Sequence, residues 1–115
     1  MAFERNYLAV EPAASEVAAL RGRVALEFGA PWCGHCQAAQ PAFAQALQER
    51  GDARHLKIED GKGRPLGRAY RIKLWPTLVL LRDGEEVARV VRPRRAEDLA
   101  QALAQWDAAS GPTAS

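Results

Sequence analysis

The sequence predicts one α/β domain in which a central mixed sheet of five strands carries helices on both faces. Segments with the alternating polarity of β-strands take turns along the chain with segments of helical spacing. No internal repeat and no linker breaks this order, and 115 residues are enough to bury a hydrophobic core. Alternation of this kind favours a mixed sheet that is covered on both sides.

The first two elements are an edge strand and a helix. Residues 7–10 are predicted to form the short strand. Residues 12–20 are predicted to be helical, since Pro12 suits the first turn of a helix and Gly22 suits a stop.

A buried strand and a long helix follow. Val24, Leu26 and Phe28 alternate with residues that are mostly small or apolar, as expected of a strand buried on both faces. Residues 33–50 are rich in Ala, Gln and Leu and predict a helix. Pro41 lies inside it and should kink it, because proline lacks the backbone donor.

The second half completes the sheet. Residues 54–60 alternate as a strand, and residues 61–72 have the glycine and proline content of a loop around one short helix. Residues 76–91 predict a β-hairpin whose turn is Asp83-Gly84. Residues 95–106 then predict a final amphipathic helix.

Composition limits the class of protein. Apolar residues make up 48% and charged residues 26%, as in soluble globular proteins. The formal net charge of +2 is too small to indicate a nucleic-acid partner, and no apolar stretch reaches the roughly 18 residues of a membrane span. We therefore expect a monomeric domain over residues 1–109, a flexible polar tail over residues 110–115, and neither a nucleic-acid nor a membrane partner.

The start of the chain predicts the cellular compartment. The first twenty residues include three acidic ones and lack the continuous apolar core of a signal peptide, so we expect a cytoplasmic protein. Thiols are kept reduced there, so a lone cysteine pair is more often catalytic, sensing or metal-binding than a structural crosslink.

Cys33 and Cys36 are the only cysteines, and they lie where the buried strand gives way to the long helix. Positions i and i+3 share one helix face, within reach of a disulfide. Cys33 would lie at the helix start, where unpartnered amides and the helix dipole favour a thiolate. Cys36 would be less accessible. We expect Cys33 to attack a substrate disulfide and Cys36 to resolve the mixed disulfide.

Two other uses of the pair are weaker. Zinc takes four ligands, and the chain offers only these cysteines, His35 and the distant His55, so a metal site would need a second chain. A permanent crosslink over so short a loop would add little stability.

The segment "VALEFGAPWCGHC" closely resembles the active-site strand and helix start of the thioredoxin superfamily, and "APWCGHC" is common in protein disulfide isomerase domains. Pro41 matches the family's kink proline, and "WPTLVLLRDGEEV" matches its cis-proline loop and hairpin. The order of elements matches from about residue 5 to residue 107. The resemblance implies the thioredoxin fold and a thiol-disulfide oxidoreductase that acts on protein disulfides. Such an enzyme needs no metal or organic cofactor, and a reductase or glutathione resets it.

Glu27 occupies the position where the family carries a buried carboxylate beneath the second cysteine. Burial should favour the protonated form of such a group, which could then exchange a proton with Cys36. The alternative is an ordinary ion pair with Lys57. His55, Phe43 and Trp106 are interpreted as strand or core residues.

The resemblance also implies a substrate groove. Pro76 would be the cis proline beside the cysteines, against the alternative of a trans proline that starts a strand. Trp32 would flank the groove or simply cover the helix start. Trp75 stands where a small aliphatic residue is usual and should line the groove. Arg92 stands where glycine is common, and residues 92–95 either border the groove, favouring acidic partners, or form a solvated basic surface.

Gly34 and His35 separate the cysteines. His35 can stabilise the Cys33 thiolate, which would make the pair more oxidising than the Gly-Pro version of typical thioredoxins. A cytoplasmic setting argues instead for net reduction, so the direction stays open. Gly29 and Gln37 also depart from the family, which often has an aromatic and a basic residue at these positions. The alternative function is a binding or chaperone-like module with vestigial redox activity.

Overall fold

The computed structural model describes residues 3–109, and the predicted order of elements is confirmed with one exception. The elements are α1 (Ala14–Ala18), β1 (Arg23–Gly29), α2 (Gly34–Gln48), β2 (Arg54–Glu59), α3 (Pro65–Ala69), β3 (Thr77–Arg82), β4 (Glu85–Val91) and, after a 3₁₀ turn at Ala96–Leu99, α4 (Ala100–Ala108). The described strands form one sheet in the order β2-β1-β3-β4. The pairing of β1 with β2 is parallel, and the other two pairings are antiparallel.

The edge strand expected at residues 7–10 is wrong, so the sheet of the described residues has four strands rather than five. One backbone hydrogen bond joins this segment to β2, from Leu8 N to Lys57 O at 2.9 Å. The carbonyl of Arg5 accepts from the Lys57 ammonium at 2.9 Å, not from a strand amide. A side chain therefore takes the place of a second ladder bond, and the segment remains irregular.

The central strand β1 divides the core into two halves. Val24, Leu26 and Phe28 face a cluster that includes Val17 of α1 and Leu66 of α3. The alternate residues face the other way, where Ala25 packs with side chains of α2 and α4. Glu27 lies on this second face of β1, since side chains alternate along a strand. The sheet is thus covered on both faces as predicted.

The predicted hairpin turn is confirmed, and the first helix is shorter than predicted. Asp83 and Gly84 have φ of 52° and 86°, which are the positive angles that a two-residue hairpin turn requires. The helix expected over residues 12–20 is shorter, at Ala14–Ala18. The tail predicted for residues 110–115 lies outside the described residues. Across residues 3–109, none of the helices has the length and apolarity that crossing a bilayer would require.

Candidate active site

Cys33 and Cys36 lie at the start of α2, directly after the carboxyl end of β1. Cys33 is the N-cap of α2, and both cysteines are free thiols. The amide of Cys36 donates to the sulfur of Cys33 over 3.2 Å. The Cys33 sulfur, which would carry the negative charge of a nucleophilic thiolate, therefore has an amide donor, as expected at the start of a helix. The exposed fraction is 7% for Cys33 and 2% for Cys36, in the predicted order.

Cys36 holds its proton more firmly than an ordinary thiol. Burial raises the pKa of the Cys36 thiol to about 12, and its hydrogen bond with the Cys33 sulfur adds to the effect. Nearby negative charge on Cys33 and Glu27 acts in the same direction. Cys36 is therefore a thiol at neutral pH. A thiol next to Cys33 can donate a hydrogen bond to the Cys33 sulfur.

Glu27 is fully buried and is held by two neutral donors. Its Oε1 lies 2.9 Å from His55 Nε2, and its Oε2 accepts from Gln40 Nε2 at 2.7 Å. The same Gln40 nitrogen donates to the Cys36 carbonyl at 3.0 Å. One amide group thus connects the carboxylate with the backbone of the second cysteine.

The ion pair considered between Glu27 and Lys57 does not form, although the two residues are register neighbours in β1 and β2. The Lys57 ammonium instead donates to Gln40 Oε1 at 3.0 Å and to the Arg5 carbonyl at 2.9 Å. Gln40 lies between the two charged groups because its amide offers a donor to one and an acceptor to the other.

His55 takes part in this network, although the sequence predicts only an ordinary strand residue at this position. The amide of Glu4 donates to His55 Nδ1 at 2.7 Å, so Nδ1 carries no proton and the ring is neutral. The single ring proton is then on Nε2, directed at Glu27. The available signal was strand spacing: His55 and Lys57 alternate on the face of β2 that adjoins Glu27.

Trp75 lies against the cysteine pair and directly precedes Pro76. The Trp75-Pro76 peptide bond is cis, as the resemblance implied. Trp75 packs against Ala30, Cys33 and Cys36. Its indole Nε1 donates to Asp60 Oδ2 at 2.8 Å, which fixes the ring.

Trp32 lies at the outer side of Trp75. It is 73% exposed, and the two indoles meet edge to face with centroids 5.4 Å apart. This arrangement is favourable for aromatic rings and leaves one face of the pair open to solvent.

Comparison with known proteins identifies the family. Residues 7–105 match the family model described as Thioredoxin. The chain belongs to the thioredoxin family. A similar solved structure is thioredoxin 2 from Pseudomonas aeruginosa PAO1 in its reduced form, with 50% identity and a TM-score of 0.81. That match covers 92% of this chain and 99% of that one.

Curated relatives match over shorter lengths. Thioredoxin H2-1 from Oryza sativa subsp. japonica is 37% identical over 59% of this chain and 49% of its own length. Protein disulfide-isomerase A3 from Gallus gallus is 35% identical over 71% of this chain and 16% of its own length. The chain therefore spans about half the length of the rice thioredoxin, and a small part of the isomerase.

Arg92 departs from the usual thioredoxin sequence in a way that the backbone explains. Its φ is 51°, in the left-handed region that glycine adopts without strain. Arg92 Nε donates to the Trp75 carbonyl at 2.7 Å, and its amide donates to Pro76 O at 2.8 Å. Arg92 is thus attached to the cis-proline loop. The amides of Arg94 and Arg95 instead bind the Asp98 carboxylate, at 2.8 and 3.1 Å.

Gly34 and His35 form the exposed first turn of α2. The effect predicted for His35 on the Cys33 thiolate remains a prediction. Phe43 and Trp106 are fully buried core residues, as interpreted from the sequence. Within residues 3–109, no group of three or more His, Cys, Asp or Glu side chains is arranged to hold a metal ion.

Proposed function

We propose that this chain is a thiol-disulfide oxidoreductase whose Cys33 and Cys36 exchange two electrons with the disulfides of protein substrates. The observation that carries the proposal is the unequal environment of the pair. Cys33 caps a helix and receives an amide hydrogen bond, whereas Cys36 is more deeply buried and has a pKa of about 12. One cysteine is thereby suited to attack and the other to resolve.

The reductive cycle has two steps. The Cys33 thiolate attacks one sulfur of a substrate disulfide, which forms a mixed disulfide and releases the first substrate thiolate. Cys36 then loses its proton and attacks the Cys33 sulfur, which closes the Cys33-Cys36 disulfide and releases the second substrate thiolate. The substrate gains two electrons and leaves as two thiolates, the pair is oxidised, and the one proton lost is that of Cys36; the released thiolates take up protons from water.

Glu27 is proposed to take the proton that Cys36 loses. The carboxylate is connected to the Cys36 backbone through Gln40, and its negative charge helps to raise the pKa of the Cys36 thiol. Cys36, Gln40 and Lys57 line a cleft of about 280 Å³ through which water can reach the pair. We propose that water in this cleft carries the proton between sulfur and carboxylate.

The substrate groove is proposed to run past Trp32, Trp75 and Pro76. The open face of the indole pair offers apolar contact, and the cis-proline loop offers backbone groups to an extended segment. Arg92 adds a positive charge at this loop, which would favour acidic substrates.

Resetting of the pair is proposed to depend on a reductase or glutathione in the cytoplasm. The reductive or isomerase-like direction depends on the reduction potential, which His35 is proposed to raise. A titration against glutathione should show that His35→Pro becomes more reducing than the parent protein. An unchanged or higher potential in that variant would contradict the proposed role of His35.

Reduction of insulin with a thiol donor tests the activity. We expect turnover by the parent protein and none by Cys33→Ser. Cys36→Ser can carry out only the first step, so it should accumulate mixed disulfides with the substrate. Cys33→Ser lacks the attacking sulfur and cannot form them. Equal insulin reduction by Cys33→Ser and the parent would refute the proposal. Substrate binding that survives without any turnover by the parent would favour the binding module instead.

A further inference from the structure

Tyr7 belongs to the irregular segment that precedes α1, and it approaches Cys36 at a cleft that Trp75 does not line. The hydrogen bond from Leu8 N to Lys57 O, 2.9 Å long, fixes the segment against β2. The Lys57 ammonium lies 4.8 Å from the centroid of the Tyr7 ring, within the range of a cation-π contact. Tyr7 also lines the cleft that leads to Cys36.

The absence of a side chain at Gly29 makes room for this approach. A Cβ atom at Gly29 would lie 2.6 Å from Cys36 Sγ and 3.2 Å from Tyr7 Oη. The sulfur and the phenol oxygen therefore border the same small space at the end of β1. Any larger residue at position 29 would displace the sulfur, the hydroxyl, or both.

We propose that the Tyr7 hydroxyl donates a hydrogen bond to Cys36 Sγ and stabilises the thiolate that this sulfur becomes during exchange, which makes Tyr7 a catalytic residue. This inference rests on the proposed function. Glu27 is proposed to take the Cys36 proton. Tyr7 is a second group, which stabilises the negative charge that remains on the Cys36 sulfur.

The surroundings keep Tyr7 in the donor form. Burial raises the pKa of Tyr7 above the ordinary range of a phenol, and the negative charges of Cys36, Glu27 and Cys33 act in the same direction. The hydrogen bond with Cys36 adds to this effect. Tyr7 thus keeps its proton throughout the cycle and acts as a fixed dipole, not as a base.

The hydrogen bond strengthens when Cys36 is charged. Bonds to an ionised acceptor are roughly twice as strong as those between neutral groups. Cys36 is an anion before it attacks Cys33, and again when a substrate thiolate attacks the Cys33-Cys36 disulfide and expels it. Tyr7 therefore serves both directions of the reaction, and it transfers no proton in either.

Reaction with dithiobis(nitrobenzoate) separates the two steps, because each releases one coloured thiolate. The reduced protein attacks the reagent through Cys33 in the first phase, and Cys36 displaces the second thiolate from Cys33 in the next. Stopped-flow absorbance at about pH 5, where thiolates are scarce, slows both phases enough to be followed.

We expect Tyr7→Phe to leave the first phase unchanged and to slow the second about three-fold. Loss of a hydrogen bond to a charged group should lower the thiolate fraction of Cys36 about ten-fold. The accompanying rise in intrinsic nucleophilicity recovers about three-fold of this loss. The pH profile of the second phase should also move upward.

Tyr70→Phe is the matched control, since Tyr70 packs with the cluster on the opposite face of the sheet. It should leave both phases unchanged. An unaltered second phase in Tyr7→Phe, or equal slowing of both phases, would overturn the proposal. Absence of the first phase in the parent protein would instead refute the proposed oxidoreductase function.

Discussion

The two sides of the cysteine pair differ in almost every physical property. The groove side, made of Trp32, Trp75 and Pro76, is apolar and largely aromatic, and Trp32 exposes it to solvent. The proton side, made of Tyr7, Glu27, Gln40, His55 and Lys57, is polar and mostly enclosed, with each side chain held by a partner. The groove side is suited to contact a protein substrate, and the proton side to move a proton and hold a charge.

One helix turn separates the cysteine that contacts the groove from the cysteine that borders the proton side. Cys33 touches the groove through Trp75, and Cys36 is flanked by the cleft and Tyr7. Changes on the groove side should alter which substrate reacts, whereas changes on the proton side should alter the second step only.

Glu27→Gln should have the largest effect of the substitutions considered. It tests directly whether the proton side controls the second step of thiol exchange. The amide cannot accept the Cys36 proton, so we expect the second thiol-exchange phase to slow about 100-fold at neutral pH. The first phase should stay near the parent rate. Two-phase kinetics with dithiobis(nitrobenzoate) measure both rates. Equal slowing of the two phases would place Glu27 outside proton transfer.

His55→Leu should reduce stability more than any groove substitution. It leaves the buried Glu27 Oε1 without its donor, and it leaves the Glu4 amide, which is only partly buried at the edge of the network, without its acceptor. A buried group deprived of its partner costs about 2 kcal/mol. Urea denaturation should show this loss in the free energy of unfolding. A variant as stable as the parent would mean that water replaces the imidazole.

Trp75→Ala should act on recognition. The loss of one aromatic contact is worth about 1.4 kcal/mol, or a ten-fold fall in kcat/KM for a protein disulfide. The small reagent used above should react at nearly the parent rate, since it does not fill the groove. An equal fall for both substrates would show that Trp75 acts on the cysteines themselves.

Asp107→Asn tests a region remote from both sides and should have the smallest effect. Hydrogen bonding from Arg50, together with the charges of Arg50 and Arg23, holds the pKa of Asp107 below its usual value. Because the pKa of Asp107 is lower in the folded state than in the unfolded state, its ionised form stabilises the fold at pH values above the unfolded-state pKa of about 3.9. This stabilisation is lost as the pH falls through the folded-state pKa. The exposed pair is worth at most about 1 kcal/mol.

Thermal unfolding of Asp107→Asn and the parent should therefore differ slightly at pH 7 and converge as the pH falls below the lowered pKa of Asp107. A difference that grows on acidification would contradict the assignment. Neither phase of thiol exchange should change, because Asp107 lies at the far end of α4.

The sequence predicted the fold because its strands and helices have distinct periodicities and its turns carry their characteristic residues. Asp83-Gly84 is an example, since the positive φ angles that the hairpin needs follow from those residue types. The cysteine positions followed from their place after a strand. The prediction of an edge strand at residues 7–10 was wrong. The Lys57 side chain of β2 occupies the Arg5 carbonyl that a strand amide would otherwise use, and such competition leaves no pattern in the local sequence.

The proton side was predicted only in part for a similar reason. Glu27 was identified through the family resemblance, but its partners come from α2 and β2, at sequence separations of 13 and 28 residues. Tyr7 was missed because its contact with Cys36 depends on the missing side chain of Gly29. Such contacts depend on side-chain packing, which no single stretch of sequence specifies.

The hydrogen bond from the Glu4 amide to His55 places residues 3 and 4 beside a buried titratable network. Phe3 stacks on the His55 ring with centroids 5.3 Å apart, so the described chain starts in direct contact with the Glu27 network. A fluorine or nitrogen-15 label at this position would report spectroscopically on the ionisation of buried groups that absorb no visible light.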